Sequence, residues 1–64
     1  MIIVNGEKIE TKAQTIADLL IEMGYEDMPV ATARNMMVVR KRDRQDTHLA
    51  EGDRIEILVP MQGG

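Results

Sequence analysis

Between Thr15 and Gly24 the chain carries its one helix signal, and the remaining apolar runs have strand character. Ile16, Leu19, Leu20 and Met23 recur at i, i+3, i+4 and i+7, which places them on one stripe of an α-helix. Thr15 precedes the stripe as an N-cap. Asp18, three residues on, is a capping-box-like partner near the positive end of the helix dipole. Gly24 stands where a chain leaves a helix through a left-handed residue, and Tyr25 follows it. A helix this short is marginal in water by itself. It needs a sheet to lie on, and one helix covers only one of a sheet's two faces.

The flanking segments supply the strands. Residues 1–4 and 7–10 read as a hairpin around Asn5-Gly6, a strong two-residue turn signal, with Ile9 facing inward. The first strand is apolar at both phases, which suits a central position. After a loop at 26–29, residues 30–34 read as a third strand and 37–39 as a fourth, with Asn35 turning between them. Ala31 and Ala33 are small enough to let a neighbouring element approach closely. Residues 40–48 are wholly polar and read as solvated, Leu49 tucks under, and Gly52-Asp53 makes a tight turn into a last strand at 54–59. Ile55, Ile57 and Val59 share the helix side of that strand, and Leu58 and Ile3 point to the uncovered face. The expected fold is α+β, in the order ββαββ or ββαβββ: a mixed four- or five-stranded sheet with one helix packed on one face.

Composition limits the chemistry. At 64 residues the chain is one domain, and a domain near this size buries only about 60% of its unfolded surface. It has no cysteine, so no disulfide, thiol nucleophile or thiolate metal site, and Tyr25 is its single aromatic residue. Aliphatic packing has to hold it together. The net charge of −3 argues against a general nucleic-acid binder, and the cations Arg40, Lys41, Arg42 and Arg44 lack interleaved aromatics, so they read as a solvated loop. His48 with Asp43 and Asp46 has no closed metal geometry, and the chain has no serine or cysteine to pair it with. Glu26 with Asp27 and Glu51 with Asp53 read as solvated turn residues. No catalytic residue and no metal site is expected. The opening run is neither a leader nor a spanning segment, so a cytoplasmic protein without a membrane partner is expected.

The end of the chain is unusual. Pro60 has no N–H to continue a ladder, and Met61, Gln62, Gly63 and Gly64 follow it. Glycine costs the most backbone entropy to order and adds nothing to a core. Two of them are poor structural material, but a backbone without Cβ atoms can enter a narrow slot with its carboxylate foremost. The reading is a globular domain over 1–59 and a flexible tail over 60–64, extended from the globule.

These features together resemble the ThiS group of sulfur-carrier proteins, which with the MoaD group are small ubiquitin-like (β-grasp) proteins ending in Gly-Gly. The likeness spans all 64 residues. It is carried by Ile-Val-Asn-Gly-Glu at 3–7, Val-Ala-Thr-Ala-Arg-Asn at 30–35, the block at 49–57 and Gly63-Gly64. Members often have Pro-Arg after the fourth strand and an aromatic soon after; here Val39-Arg40-Lys41-Arg42 replaces that pattern. The resemblance implies first and last strands side by side and parallel. It implies that Gly64 is adenylated by a ubiquitin-activating-type (ThiF-like) enzyme using ATP, with no cofactor held by the carrier itself. A sulfur donor protein then converts the acyl adenylate to a thiocarboxylate, and a thiazole synthase (ThiG-like) takes the sulfur for thiamin. Gly63, Gln62 and Met61 would thread into the partner, and Ile3, Leu58, Met36, Met37 and Arg40 would meet it. The small subunit of molybdopterin synthase, another sulfur-transfer carrier and a ubiquitin-like modifier remain open alternatives.

Overall fold

The computed structural model describes residues 1–60. Its elements run β1 (Ile2–Val4), β2 (Glu7–Ile9), α1 (Ile16–Glu22), β3 (Ala31–Arg34), β4 (Met37–Val39), a 3-10 helix (Lys41–Asp46) and β5 (Arg54–Leu58). The five strands form one mixed sheet in the order β2-β1-β5-β3-β4. β1 and β5 are parallel neighbours, with Ile3 opposite Arg54 and Val4 opposite Ile55, and the other pairs are antiparallel. This is the ubiquitin-like β-grasp arrangement, with the fuller strand count. The intervening α1, β3 and β4 give the parallel pair the crossover it requires.

Local chemistry explains the helix. Thr15 is extended, and its hydroxyl accepts the Asp18 amide at 3.1 Å. The first helical amide, that of Ile16, is satisfied by the Thr47 carbonyl at 3.0 Å. At the other end Gly24 takes φ +83°, and the Gly24 and Tyr25 amides return to the Ile21 and Leu20 carbonyls. That is the Schellman closure. Met23 falls on the cap itself and is 37% exposed, so the expected four-residue stripe is cut to the buried trio Ile16, Leu19 and Leu20.

The trio packs on Ile2 and Val4 of β1, Ile55 and Ile57 of β5, and Val30 and Val39. The core is entirely aliphatic, with Ile9, Ala13, Tyr25 and Leu49 at its edge. Val59 is exposed rather than buried, because β5 stops at Leu58, one residue short of its expected phase partner.

Two segments differ from the sequence reading. Residues 40–48 are not simply solvated: 41–46 wind into the 3-10 helix, and Arg44 donates from Nη2 to the Val30 carbonyl and from Nε to Thr32 Oγ1. The Thr47 carbonyl then accepts the first amide of α1, and the Leu49 amide donates to the Gln14 carbonyl just before the cap. Asp53 is not a solvated turn residue either. It is buried, and its carboxylate accepts from Arg34 Nε at 2.7 Å, Asn35 Nδ2 at 3.0 Å and the Ala50 amide at 2.8 Å. Glu51, its exposed neighbour, pairs with the chain's own terminal ammonium. No helix among the described residues is long and apolar enough to cross a membrane.

Candidate functional site

With α1 on one face, the other face of the sheet is open. Strand alternation sends Ile3, Arg54, Glu56, Leu58, Ala31, Ala33 and Val38 to it, opposite the buried Ile2, Val4, Ile55, Ile57, Thr32 and Val39. Ala33 lies between Glu56 and Val38, and Ala31 beside Leu58. The two alanines therefore form the floor of a shallow depression of about 250 Å³, walled by Leu58, Glu56, Val38 and Met36. Because Ala31 and Ala33 are small, the floor of the depression lies below its walls.

The sequence candidates divide. Leu58 (66% exposed) and Met36 (89%) both line the depression. Met37 is also exposed, but it shares the phase of buried Val39 and stands on the helix side of edge strand β4. Val38, 81% exposed, takes the place on the open face that was expected of Met37. Ile3 does face the open side, half-buried, but it sits in register with Lys8 and Arg54, four residues along β5 from Leu58. That offset is about 13 Å at a strand's rise per residue, so Ile3 and Leu58 do not form one patch. Arg40 is exposed and follows Val39 at the end of the sheet where β5 runs out. The small Ala31 and Ala33 were legible as a place of close approach, but Val38 was not, because β4 has three consecutive apolar residues, which give no alternation to phase it.

The hairpin tip at Asn35-Met36 bounds the far end of the depression. Both residues have positive φ, +50° and +71°. For methionine this conformation is uncommon and carries a cost on the order of 1 kcal/mol or more.

The other end of the depression leads to the chain's terminus. Leu58 is followed by exposed Val59 and Pro60. Met61, Gln62, Gly63 and Gly64, expected as the threading segment and the reacting group, lie outside the described residues, as does the expected extended course of the tail. Among the described residues no cluster of three or more metal-ligating side chains occurs. His48 is exposed and pairs only by backbone with Thr15.

Known proteins match the chain over nearly its whole length. The model of the ThiS family matches residues 2–64. The chain is 34% identical over 64 residues to the sulfur carrier protein ThiS of Thermus thermophilus, with 100% of each chain covered. It is 33% identical over 64 residues to a thiazole synthase of Paramagnetospirillum magneticum, and there it spans only 20% of that longer relative. The crystal structure of the thiamine biosynthesis protein ThiS from Geobacter metallireducens has the same fold, with a TM-score of 0.77 at 25% identity, covering 98% of this chain and 97% of that one.

Proposed function

The chain belongs to the ThiS family, and from that membership we propose that it is a sulfur carrier for thiamin biosynthesis whose reacting group is the Gly64 carboxylate. The observation that carries this reading is the match to a ThiS sulfur carrier over the full length of both chains, a span that includes positions 63 and 64. The same match favours the thiamin branch over molybdopterin synthesis and over a ubiquitin-like modifier.

A carboxylate is a poor electrophile. In the proposed sequence a Gly64 carboxylate oxygen attacks the α-phosphorus of ATP on an adenylating enzyme, and pyrophosphate leaves. A hydrosulfide ion released by a donor protein then adds to the carbonyl, AMP departs with the bonding electron pair, the S–H proton is lost to solvent, and the terminal C–O⁻ has become C–S⁻. Charge builds on the carbonyl oxygen in this step and has to be met by closely placed donors on the enzyme. Glycine at 63 and 64 lets those donors close in. ATP and the catalytic groups belong to the partner, and the carrier supplies none.

The open face is the proposed docking surface. It presents Leu58, Val38 and Met36 around an alanine floor, with Arg40 at the rim, next to the end of β5. Exposed apolar groups gathered in one patch mark an interaction site. A thiazole synthase that contains a segment 33% identical to this chain over 98% of its length supports that activity as the sulfur acceptor. The test is intact mass after co-expression with a ubiquitin-activating-type enzyme and a sulfur source. The expected result is the gain of one sulfur in place of one oxygen, located on the C-terminal peptide. Ladders of lysine conjugates would point to a modifier instead.

A further inference from the structure

The chain contains two hairpin tips of one shape. Asn5-Gly6 has φ of +50° and +85°, and Asn35-Met36 has +50° and +71°. Two left-handed central residues make the turn that matches the twist of paired strands, and Asn followed by Gly is what that turn selects. The first tip obeys. The second places methionine where a Cβ crowds its own backbone. Its side chain is 89% exposed, so it gains little from packing within the monomer. The tip is also held against relaxation. The Asn35 amide donates to the Arg54 carbonyl at 2.7 Å, Asn35 Oδ1 accepts from the Arg54 amide at 2.9 Å, and Asn35 Nδ2 reaches buried Asp53 at 3.0 Å.

We propose that Met36 is the anchor by which the open face docks the enzyme that activates the C-terminus, a thioether knob for an apolar pocket on that enzyme, kept at the tip although it destabilises the free carrier. This rests on the carrier reading above. The occupant follows from where the chain ends. The depression runs from Met36 to Leu58, and Leu58 stands six residues before Gly64. Those six residues span at most about 20 Å. An interface of ordinary size, about 800 Å² a side and so about 30 Å across, that closes on Gly64 therefore overlies this end of the sheet. On the helix side that end carries exposed Lys41, Arg42 and Asp43, whereas the open side carries Leu58 and Val38 with Glu56 as its one charged wall, and Met36 stands at the far end of the same depression, within the breadth of such an interface. Interface centres are depleted of charge and enriched in methionine, which selects the open side.

The test pairs thermal melts with the kinetics of ATP–pyrophosphate exchange by the adenylating enzyme, the carrier being the varied substrate. Met36→Gly and Met36→Asn both suit a left-handed position and remove the knob. Both are expected to melt higher, Met36→Gly by about 4 °C. Both should raise the carrier's KM about tenfold with kcat unchanged, because the lost contact is one made equally before and during the reaction. Met36→Leu keeps an apolar knob and should hold KM within about twofold. An unchanged KM in the glycine and asparagine variants overturns the proposal. So does a lower melting temperature for Met36→Gly, which would make Met36 part of the fold. A wild-type protein that supports no exchange removes the carrier reading itself. Normal exchange in wild type and variants alike removes only the role of Met36.

Discussion

Arg34 and Asp53 join the end of β3 to the residue before β5, with guanidinium Nε 2.7 Å from carboxylate Oδ2, the arginine partly exposed and the aspartate buried. Burial acts to raise the Asp53 carboxyl. The hydrogen bonds from Arg34, Asn35 and the Ala50 amide, with the charge of Arg34, outweigh it and hold the pKa below the ordinary carboxylate value. The sign follows by linkage: a depressed folded pKa stabilises the fold fully above the unfolded value, about 3.9, and this contribution is lost as pH falls through the folded value. Melts of the wild type should therefore weaken below about pH 4. Asp53→Asn should remove part of that acid dependence and lose about 2 kcal/mol at neutral pH, since it breaks a charged, buried hydrogen-bond set. An Asp53→Asn protein with the wild-type melting temperature at pH 7 would contradict the account.

Thr15 caps α1 through a side-chain bond to the Asp18 amide at 3.1 Å. Thr15→Ala should cost about 1 kcal/mol, a fall of roughly 4–8 °C in a domain this small, and Thr15→Ser should restore most of it. Circular dichroism melts of the three proteins check this. Equal melting temperatures for Thr15→Ala and wild type would show that the cap contributes nothing.

Leu19 is fully buried at the centre of the core. Leu19→Ala should destabilise by about 2–5 kcal/mol, the lost transfer of the leucine side chain plus the cavity left in a closely packed core. That is comparable to the entire stability of many small domains, so the variant should be largely unfolded by amide hydrogen exchange at 37 °C.

What the sequence discloses is what depends on near neighbours. The cap at Thr15, the left-handed exit at Gly24 and the turn at Asn5-Gly6 are each set within a few residues, and the structure contains all of them. Asp53 was misread because its partners Arg34 and Asn35 lie 19 and 18 residues away, so only the fold brings them to its carboxylate. Arg44 was misread for the same reason: its acceptors, Val30 just before β3 and Thr32 within it, lie 14 and 12 residues away and meet it only in the folded chain. Phase was the other weak point. Met36, Met37 and Val38 form an unbroken apolar run, and pairing with β3 was needed to show that Val38 rather than Met37 reaches the open face.

The separation of Ile3 from Leu58 gives a comparison between two sites on one face. Leu58→Asp places a charge beside the alanine floor and should raise the carrier's KM for activation at least about fivefold. Because Leu58 is 66% exposed, its melting temperature should stay near wild type. Ile3→Thr, set among Lys8 and Arg54, should leave the KM within about twofold. If the Ile3 variant were the weaker partner of the two, the docking surface would lie on β1 and not over the depression.

The terminal glycines separate folding from chemistry. The buried core of the described domain is built from residues between Ile2 and Ile57, so Gly63→Val and Gly64→Val should melt as wild type does. Activation should nevertheless fall by about a hundredfold or more, because a branched side chain next to the carboxylate holds the reacting carbon away from the α-phosphorus, and misplacement by about 1 Å has that effect. The loss should appear in kcat as well as KM, unlike that of the Leu58 variant, since the reacting atoms themselves are displaced. If both valine variants were adenylated at the wild-type rate, the bare terminus would have no part in the reaction, and the body of the chain would have to be carrying some other group.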